Sequence, residues 1–365
     1  MLMRHPVRFL SSLIWAMLVL GQLARGEPRQ PIDEAAVDAV DLRLAFAEPT
    51  LHVTARDMAR HVRLKLRLLP GVLVAEDTKL LIKDLSGRVV FEYRIAALSN
   101  KMPIWTVPVG GRSVSLELVG STPPGAEGDV ILVEAVASHL PPSNPALTIF
   151  NGGDFKDLDS FQFEIPEIFQ AGLGVAKVFP KEGPCSGFLV SDNTLITNEH
   201  CVTGVEDCFS EVSVLFGFHN KDSSVGSEAF HCKSMFVDKD LDLAVLTVDG
   251  QPGLRWFPLK LSPVAPTASE HTVVIHHPGG FEKKVSTLGC YVKTLEAPGR
   301  SGHTDFGHKC DTIPGSSGSP VLRRHDLTVI GLHHWGADST SVRWSVENRA
   351  VSIVFLRQRY PDLFQ

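Results

Sequence analysis

The sequence predicts an all-β protein in two parts, on three observations. Residues 38–137 run in alternating or wholly apolar β-prone stretches with little helical period. A proline-rich segment, Leu140-Pro141-Pro142-Ser143-Asn144-Pro145, follows as a stiff connection. From residue 172 onward, short apolar runs recur between Gly, Pro, Asn and Asp. At 365 residues, 44 % of them hydrophobic, the chain can bury more than one core.

Ahead of the first part, residues 1–26 carry Arg4 and Arg8, a nearly unbroken apolar run over 9–20, and small residues at Ala24-Arg25-Gly26. That layout predicts a secretory signal peptide. A membrane anchor is the alternative, but a span needs about 20 apolar residues and this run is shorter. The expectation is therefore cleavage, a secreted or periplasmic protein, and no membrane association afterwards. The net charge of −6 comes without a lysine- or arginine-rich block, so nothing points to nucleic acid.

Residues 27–140 are expected to form a β-sandwich domain that serves as a pro-region or an accessory domain. The stretch 113–118 alternates polar and apolar residues, as a half-buried strand does. Runs at 80–84 and 89–95 are joined by Leu85-Ser86-Gly87-Arg88, a hairpin turn, and 130–137 is a further strand. Residues 141–171 read as linker. Over 172–365, runs at 187–190, 212–216, 243–248, 271–276, 284–288 and 328–333 suit a barrel or sandwich. The run 349–359, apolar at Val351, Ile353, Val354 and Leu356, reads as one closing helix.

All six cysteines, Cys185, Cys201, Cys208, Cys232, Cys290 and Cys310, fall in the second part. An even count in an exported chain predicts disulfides without fixing their pairing. Metal binding by cysteine with His231, His276 or His277 is the alternative. The spacings match no standard zinc frame, and neither a metal nor another cofactor is expected.

Three local frames carry chemistry. Serine hydrolysis needs a hydroxyl beside an imidazole, a carboxylate that orients the imidazole, and N–H groups aimed at the oxyanion. Gly315-Ser316-Ser317-Gly318 brackets a serine with glycines that permit a tight turn whose N–H groups converge. Taken alone, an ordinary Gly/Ser loop is as good a reading. Leu195-Ile196-Thr197-Asn198-Glu199-His200-Cys201 ends a strand on a histidine beside a cysteine, although most of the 15 histidines are expected to be structural. Asp242 opens the apolar run Leu243-Ala244-Val245-Leu246, where a partly buried carboxylate needs a donor such as a histidine N–H. The bland alternative is a strand-capping surface acid.

These frames resemble the chymotrypsin-like serine peptidases, especially the bacterial-type branch with the glutamyl and lysyl endopeptidases. Thr197-Asn198-Glu199-His200-Cys201 is similar to that family's Thr-x-x-His-Cys. Asp242-Leu243-Ala244-Val245-Leu246 is similar to its Asp-Ile-Ala-Leu-Leu. Pro314-Gly315-Ser316-Ser317-Gly318-Ser319-Pro320 resembles its Pro-Gly-Asn-Ser-Gly-Ser-Pro, and His276-His277-Pro278-Gly279-Gly280 with Lys284-Val285-Ser286 is a further hallmark. The order His, Asp, Ser is the family's, and the likeness covers about 172–365.

The resemblance implies a double β-barrel with a C-terminal helix and an endopeptidase acting on polypeptides. In it Ser317 is the nucleophile, His200 the general base and then acid, and Asp242 its orienting partner. The N–H groups of Gly315 and Ser317 form the oxyanion hole, and His334-Trp335-Gly336 pairs with substrate backbone. It also implies a Cys185–Cys201 bridge, worth about 3 kcal/mol in the chain-entropy model, a Cys290–Cys310 brace for the serine loop, and Cys208–Cys232 as the remaining pair. Ser316 stands where trypsin-like enzymes carry the aspartate that pairs with a new N-terminus, so activation by such an insertion is not expected here. Two residues pull specificity apart: Asp311, six before Ser317, favours a basic P1 residue, while His333 resembles the histidine that binds an acidic one. The reading leans to basic.

Two rival functions remain. One is a catalytically inactive relative acting as a secreted binding protein, against which the filled triad positions argue. The other makes 38–137 an adhesion or carbohydrate-binding module, although Trp105 stands nearly alone as a platform aromatic.

Overall fold

The computed structural model describes residues 36–98, 103–126, 128–140, 150–180, 183–220, 226–336 and 347–362. Residues 1–26, read above as a signal peptide, and most of the proline-rich connection lie outside these residues. Two antiparallel sheets make up the first part. One pairs Ala36–Ala45, Asp129–His139 and His61–Leu68 with the short strands Ile104–Trp105 and Val109–Gly110; the other orders Thr50–Thr54, Ser113–Val119, Lys79–Lys83 and Val89–Arg94. The predicted alternation holds: Val114, Leu116 and Leu118 point inward from Ser113–Val119 into a core that includes Leu64, Leu80, Ile82 and Ile131. Each such fully buried aliphatic side chain contributes about 1.5–3 kcal/mol. The predicted turn closes with Asp84 N–H to Arg88 O at 3.0 Å and Gly87 at φ 82°.

Next comes a closed barrel of Val175–Phe179, Cys185–Leu189, Thr194–Thr197, Leu243–Val248, Glu228–Asp238 and Ser213–Phe216. Val175–Phe179 is buried on both faces. Ala176 and Val178 fill the barrel, whereas Phe179 packs with Val107 of the sandwich. Sandwich and barrels lie within one compact unit, Ile32–Gln365. Arg63 of the sandwich, itself buried, donates to Phe179 O at 3.2 Å and Glu211 O at 3.1 Å of the barrel side. Tyr93 Oη lies 2.5 Å from His231 Nε2, and His231 Nδ1 lies 3.0 Å from Phe209 O, so His231 donates through Nδ1 and accepts the phenol.

An eight-stranded sheet completes the chain in the order Lys156–Asp157, Lys284–Ser286, Thr272–His276, Pro320–Arg323, Val329–Trp335, Asn348–Ser352, Asp305–His308 and Val292–Ala297. Its last strand curls back toward Thr272–His276 through Thr272 N–H to Cys290 O at 3.0 Å and Ser269 N–H to Val292 O at 2.9 Å. The double-barrel arrangement implied by the resemblance is present. Within 150–173 the chain adds the edge strand Lys156–Asp157 and the helices Phe161–Glu164 and Pro166–Leu173, so the stretch read as linker carries structure, with Leu158, Phe161 and Ile168 buried in the shared core. The closing helix is shorter than 349–359. Asn348–Ser352 is a strand paired on both sides, and the helix covers only Ile353–Arg359.

Candidate functional site

The first barrel places His200 against Asp242. Thr194–Thr197 pairs antiparallel with Leu243–Val248, so the residues after Thr197 face those before Leu243. Glu199 N–H then donates to Asp242 O at 3.1 Å, and Asn198 Nδ2 donates to the same carbonyl at 3.0 Å. Asp242 sits at φ 48°, a left-handed conformation that Asp tolerates better than most residues. Its carboxylate is wholly buried. Oδ1 accepts His200 N–H at 2.9 Å, and Oδ2 lies 2.8 Å from His200 Nδ1. That contact fixes the tautomer that leaves Nε2 free to accept a proton.

Two further groups reach Asp242. Arg300 Nη2 lies 2.9 Å from Oδ1, while Arg300 Nη1 holds Glu199 Oε2 at 2.8 Å. His334 Nδ1 lies 3.2 Å from Oδ2, and its Nε2 lies 2.7 Å from Asp305 Oδ2. Burial alone would raise the Asp242 carboxyl, but His200 and His334 outweigh it and hold it well below the ordinary carboxylate range. Burial alone would likewise lower His334, yet Asp305 and Asp242 push it up to about 9.

The serine loop enters from the second barrel and is tied to the same strand that braces His200. Cys185 is bonded to Cys201, next to His200, and Ser186 N–H donates to Ser317 O at 2.8 Å. Thr197 Oγ1 donates to Ser186 O at 2.8 Å. Gly318, at φ 84°, donates to His333 O at 2.9 Å, and a Cβ there would sit 2.1 Å from Ser186 O. Gly315, at φ 93°, leaves no room either, since its Cβ would lie 2.6 Å from His277 O. Loop hydrogen bonds run from Ser316 N–H to Ile313 O and from Ser319 N–H to Ser316 O. The N–H groups of Gly315 and Ser317 have no acceptor among the described residues. Ser317, half-buried, likewise makes no side-chain hydrogen bond among them, so the His–Asp contact is formed and a Ser–His contact is not.

Ser316 is wholly buried, with Oγ 2.7 Å from His276 Nδ1; His276 Nε2 lies 3.2 Å from Ser286 Oγ. Burial pushes His276 down to about 3, so it is neutral. Asp311 is also wholly buried, and the backbone N–H groups of the 150–154 segment surround it. Its Oδ1 accepts Phe150 at 2.6 Å and Asn151 at 3.1 Å, and its Oδ2 accepts Gly153 at 3.1 Å and Asp154 at 2.9 Å. His333 lies beneath the serine loop with Nδ1 3.1 Å from His308 Nε2. Burial and the neighbouring His308 hold His333 well below its ordinary value, and burial takes His308 to about 3. Trp335 stacks on His334 at 4.6 Å, and Gly336 follows it, exposed.

All six cysteines are paired, as Cys185–Cys201, Cys208–Cys232 and Cys290–Cys310. His200 approaches the sulfurs of Cys185 and Cys201, but both are spent in the disulfide. Arg300, Asp305 and His308 were not read from the sequence. None sits in a motif; Asp305 and His308 reach the site through sheet pairing, and Arg300 reaches it from the loop that joins their strand to Val292–Ala297.

Residues 185–332 match the trypsin-like peptidase domain model. A secreted RxLR effector protein 73 of Plasmopara viticola is 28 % identical over 190 residues, 46 % of this chain and 46 % of its own length. A glutamyl endopeptidase of Staphylococcus epidermidis is 25 % identical over 187 residues, 49 % of this chain and 63 % of its own. The chain thus spans about half to two thirds of these relatives. Among solved structures, the Rv3671c protease of M. tuberculosis in its inactive form aligns with TM-score 0.44 and 18 % identity, over 56 % of this chain and 96 % of that one.

Proposed function

We propose that this chain, which carries a trypsin-like peptidase domain over 185–332, is an exported serine endopeptidase that cuts after an acidic side chain. The observation that carries the reaction is the His200 Nδ1 to Asp242 Oδ2 contact of 2.8 Å, braced on the strand that also holds Ser317 O. In the reaction Ser317 Oγ attacks the scissile carbonyl while its proton passes to His200 Nε2. The N–H groups of Gly315 and Ser317 receive the oxyanion. His200 then gives that proton to the leaving amine, and water, activated by the same imidazole, releases the acyl group. The three disulfides support an oxidising compartment.

Specificity follows from two residues. The lean toward a basic P1 residue rested on Asp311, whose carboxylate is occupied by four backbone N–H groups. His333 supports the acidic choice. If His308 Nε2–H donates to His333 Nδ1, His333 Nε2–H is left as a donor for a carboxylate. The name of the staphylococcal relative agrees with this choice.

A fluorophosphonate probe is expected to label Ser317 in the wild-type chain and to label nothing in Ser317→Ala. Absence of labelling in folded, disulfide-intact protein would favour the inactive binding homologue. Peptide-library cleavage tests the acidic preference, and cutting confined to Lys or Arg sites overturns it.

A further inference from the structure

We propose that His334 and Asp305 form a second imidazole–carboxylate pair behind Asp242, positioning residues that hold its carboxylate against His200 during catalysis. This rests on the serine-peptidase reading above.

The geometry demands a charged ring. His334 Nδ1 faces Asp242 Oδ2 at 3.2 Å, and Nε2 faces Asp305 Oδ2 at 2.7 Å. A neutral imidazole has one N–H, so it would aim a lone pair at one of two buried carboxylates; only the doubly protonated ring satisfies both. Asp242 is wholly buried, with Asp305 and His334 nearly so, which magnifies any mismatch. Trp335 stacks on the ring with an interplanar angle of 14°, a surface that favours a cation. Asp305 is itself fixed. Thr304 Oγ1 donates to its Oδ1 at 3.0 Å, and a Cβ on Gly299 would sit 2.5 Å from that oxygen.

The charges explain what the pair does. Around Asp242 lie two further carboxylates, Asp305 and Glu199, and two cations, His334 and Arg300. With Asp242 the set has one more anion than cations while His200 is neutral. When His200 takes the Ser317 proton the set balances, so the transition state is favoured over the resting state. The remaining titratable neighbours, His308 and His333, are buried and neutral, with Arg349 beyond His308. Removing the Asp305 charge leaves the resting set balanced and the transition state with an excess cation.

The test is steady-state kinetics of wild type, Asp305→Asn and His334→Gln on one acidic-P1 peptide across pH. Both variants should lose kcat by about 10–100-fold with KM unchanged, as when an outer orienting partner is lost. His334 stays protonated until pH rises through about 9, so the wild-type alkaline limb should fall near there. In Asp305→Asn that limb should move down by about 1–3 pH units, because the anion that raises His334 is gone. A superimposable profile with unchanged kcat overturns the pairing. Failure of Ser317 to label overturns the serine-peptidase reading instead, so the two failures are distinguishable. If Asp305→Asn does not fold, selective 15N labelling of wild-type histidines decides. Both ring nitrogens of His334 should carry protons at neutral pH, and a neutral ring overturns the proposal.

Discussion

Ser316 Oγ and His276 Nδ1 lie 2.7 Å apart, both wholly buried, and their contact anchors the serine loop from inside. Ile313 N–H donates to Ser316 Oγ at 3.2 Å, Ser316 donates to His276, and His276 Nε2–H donates to Ser286, which reaches Asp311 O at 2.9 Å. Ser316→Ala should lower unfolding stability by about 1–3 kcal/mol, since it strands a buried acceptor and a buried N–H. Urea denaturation measures it. No terminal amine enters this chain of contacts, and Val175 and Ala176 are buried in a barrel strand. A chain uncut there should therefore label fully with a fluorophosphonate. A required cut near Ala176, with the new amine against the serine loop, would sink this.

Asp311→Asn separates a structural role from a specificity role. An amide places N–H groups against two of the four backbone donors, and each lost charge-assisted bond costs about 1.5–3 kcal/mol. Stability should fall while the acidic P1 preference persists. His333→Ala should do the reverse, cutting kcat/KM for acidic P1 peptides by about 10–100-fold. A switch of preference to Lys or Arg in either variant would refute the assignment.

Stability should fall as the pH drops from neutral into the acid range. Burial holds His61, His139, His231, His276, His277, His308 and His333 below their ordinary 6.5. Each binds a proton on unfolding once the pH drops under that value, so stability falls toward acid. Asp242 adds to the fall only below its ordinary 3.8. His334 acts in the other direction, because its contribution is fully present below 6.5 and is lost as pH rises through about 9. Urea midpoints across acid, neutral and alkaline buffers check the shape, and a flat acid side would contradict it.

The sandwich should behave as a fixed part of the folded chain. Arg63 also donates to Thr106 O at 2.8 Å, so it joins sandwich backbone to the barrel carbonyls. Burial lowers it to about 10, and it remains charged. Arg63→Met should leave those carbonyls unpaired, at about 1–3 kcal/mol each. Residues 172–365 expressed alone expose Phe179 and Leu215 and should aggregate or fail to fold. A soluble, cooperative and probe-reactive 172–365 would show that the sandwich is dispensable.

The sequence made the strands and the three chemical frames legible because each is local. Alternation at 113–118 and the apolar run at 243–248 need no tertiary information. Asp305 is not legible in the sequence because its strand, Asp305–His308, is short and carries Gly307 and His308 where alternation would be read. Gly307 leaves the room that the Glu347 carboxylate occupies, since a Cβ there would lie 2.2 Å from Oε2. Asp305 meets His334 only because Asn348–Ser352 pairs with both their strands. Asp311 sits at the offset expected of a pocket acid, but spacing along the chain does not say where a carboxylate points. The 150–154 backbone that captures it came from a stretch with no readable period.

Cys185 and Ser186 are consecutive, and one fastens Cys201, the neighbour of His200, while the other fastens the carbonyl of Ser317. The two halves of the candidate site therefore share a single datum, although they arise in different barrels. Mild reduction of Cys185–Cys201 removes the covalent tie beside His200 and leaves the Ser186 N–H to Ser317 O bond in place. Reactivity of Ser317 should then decline at reductant levels where the global unfolding transition is still intact.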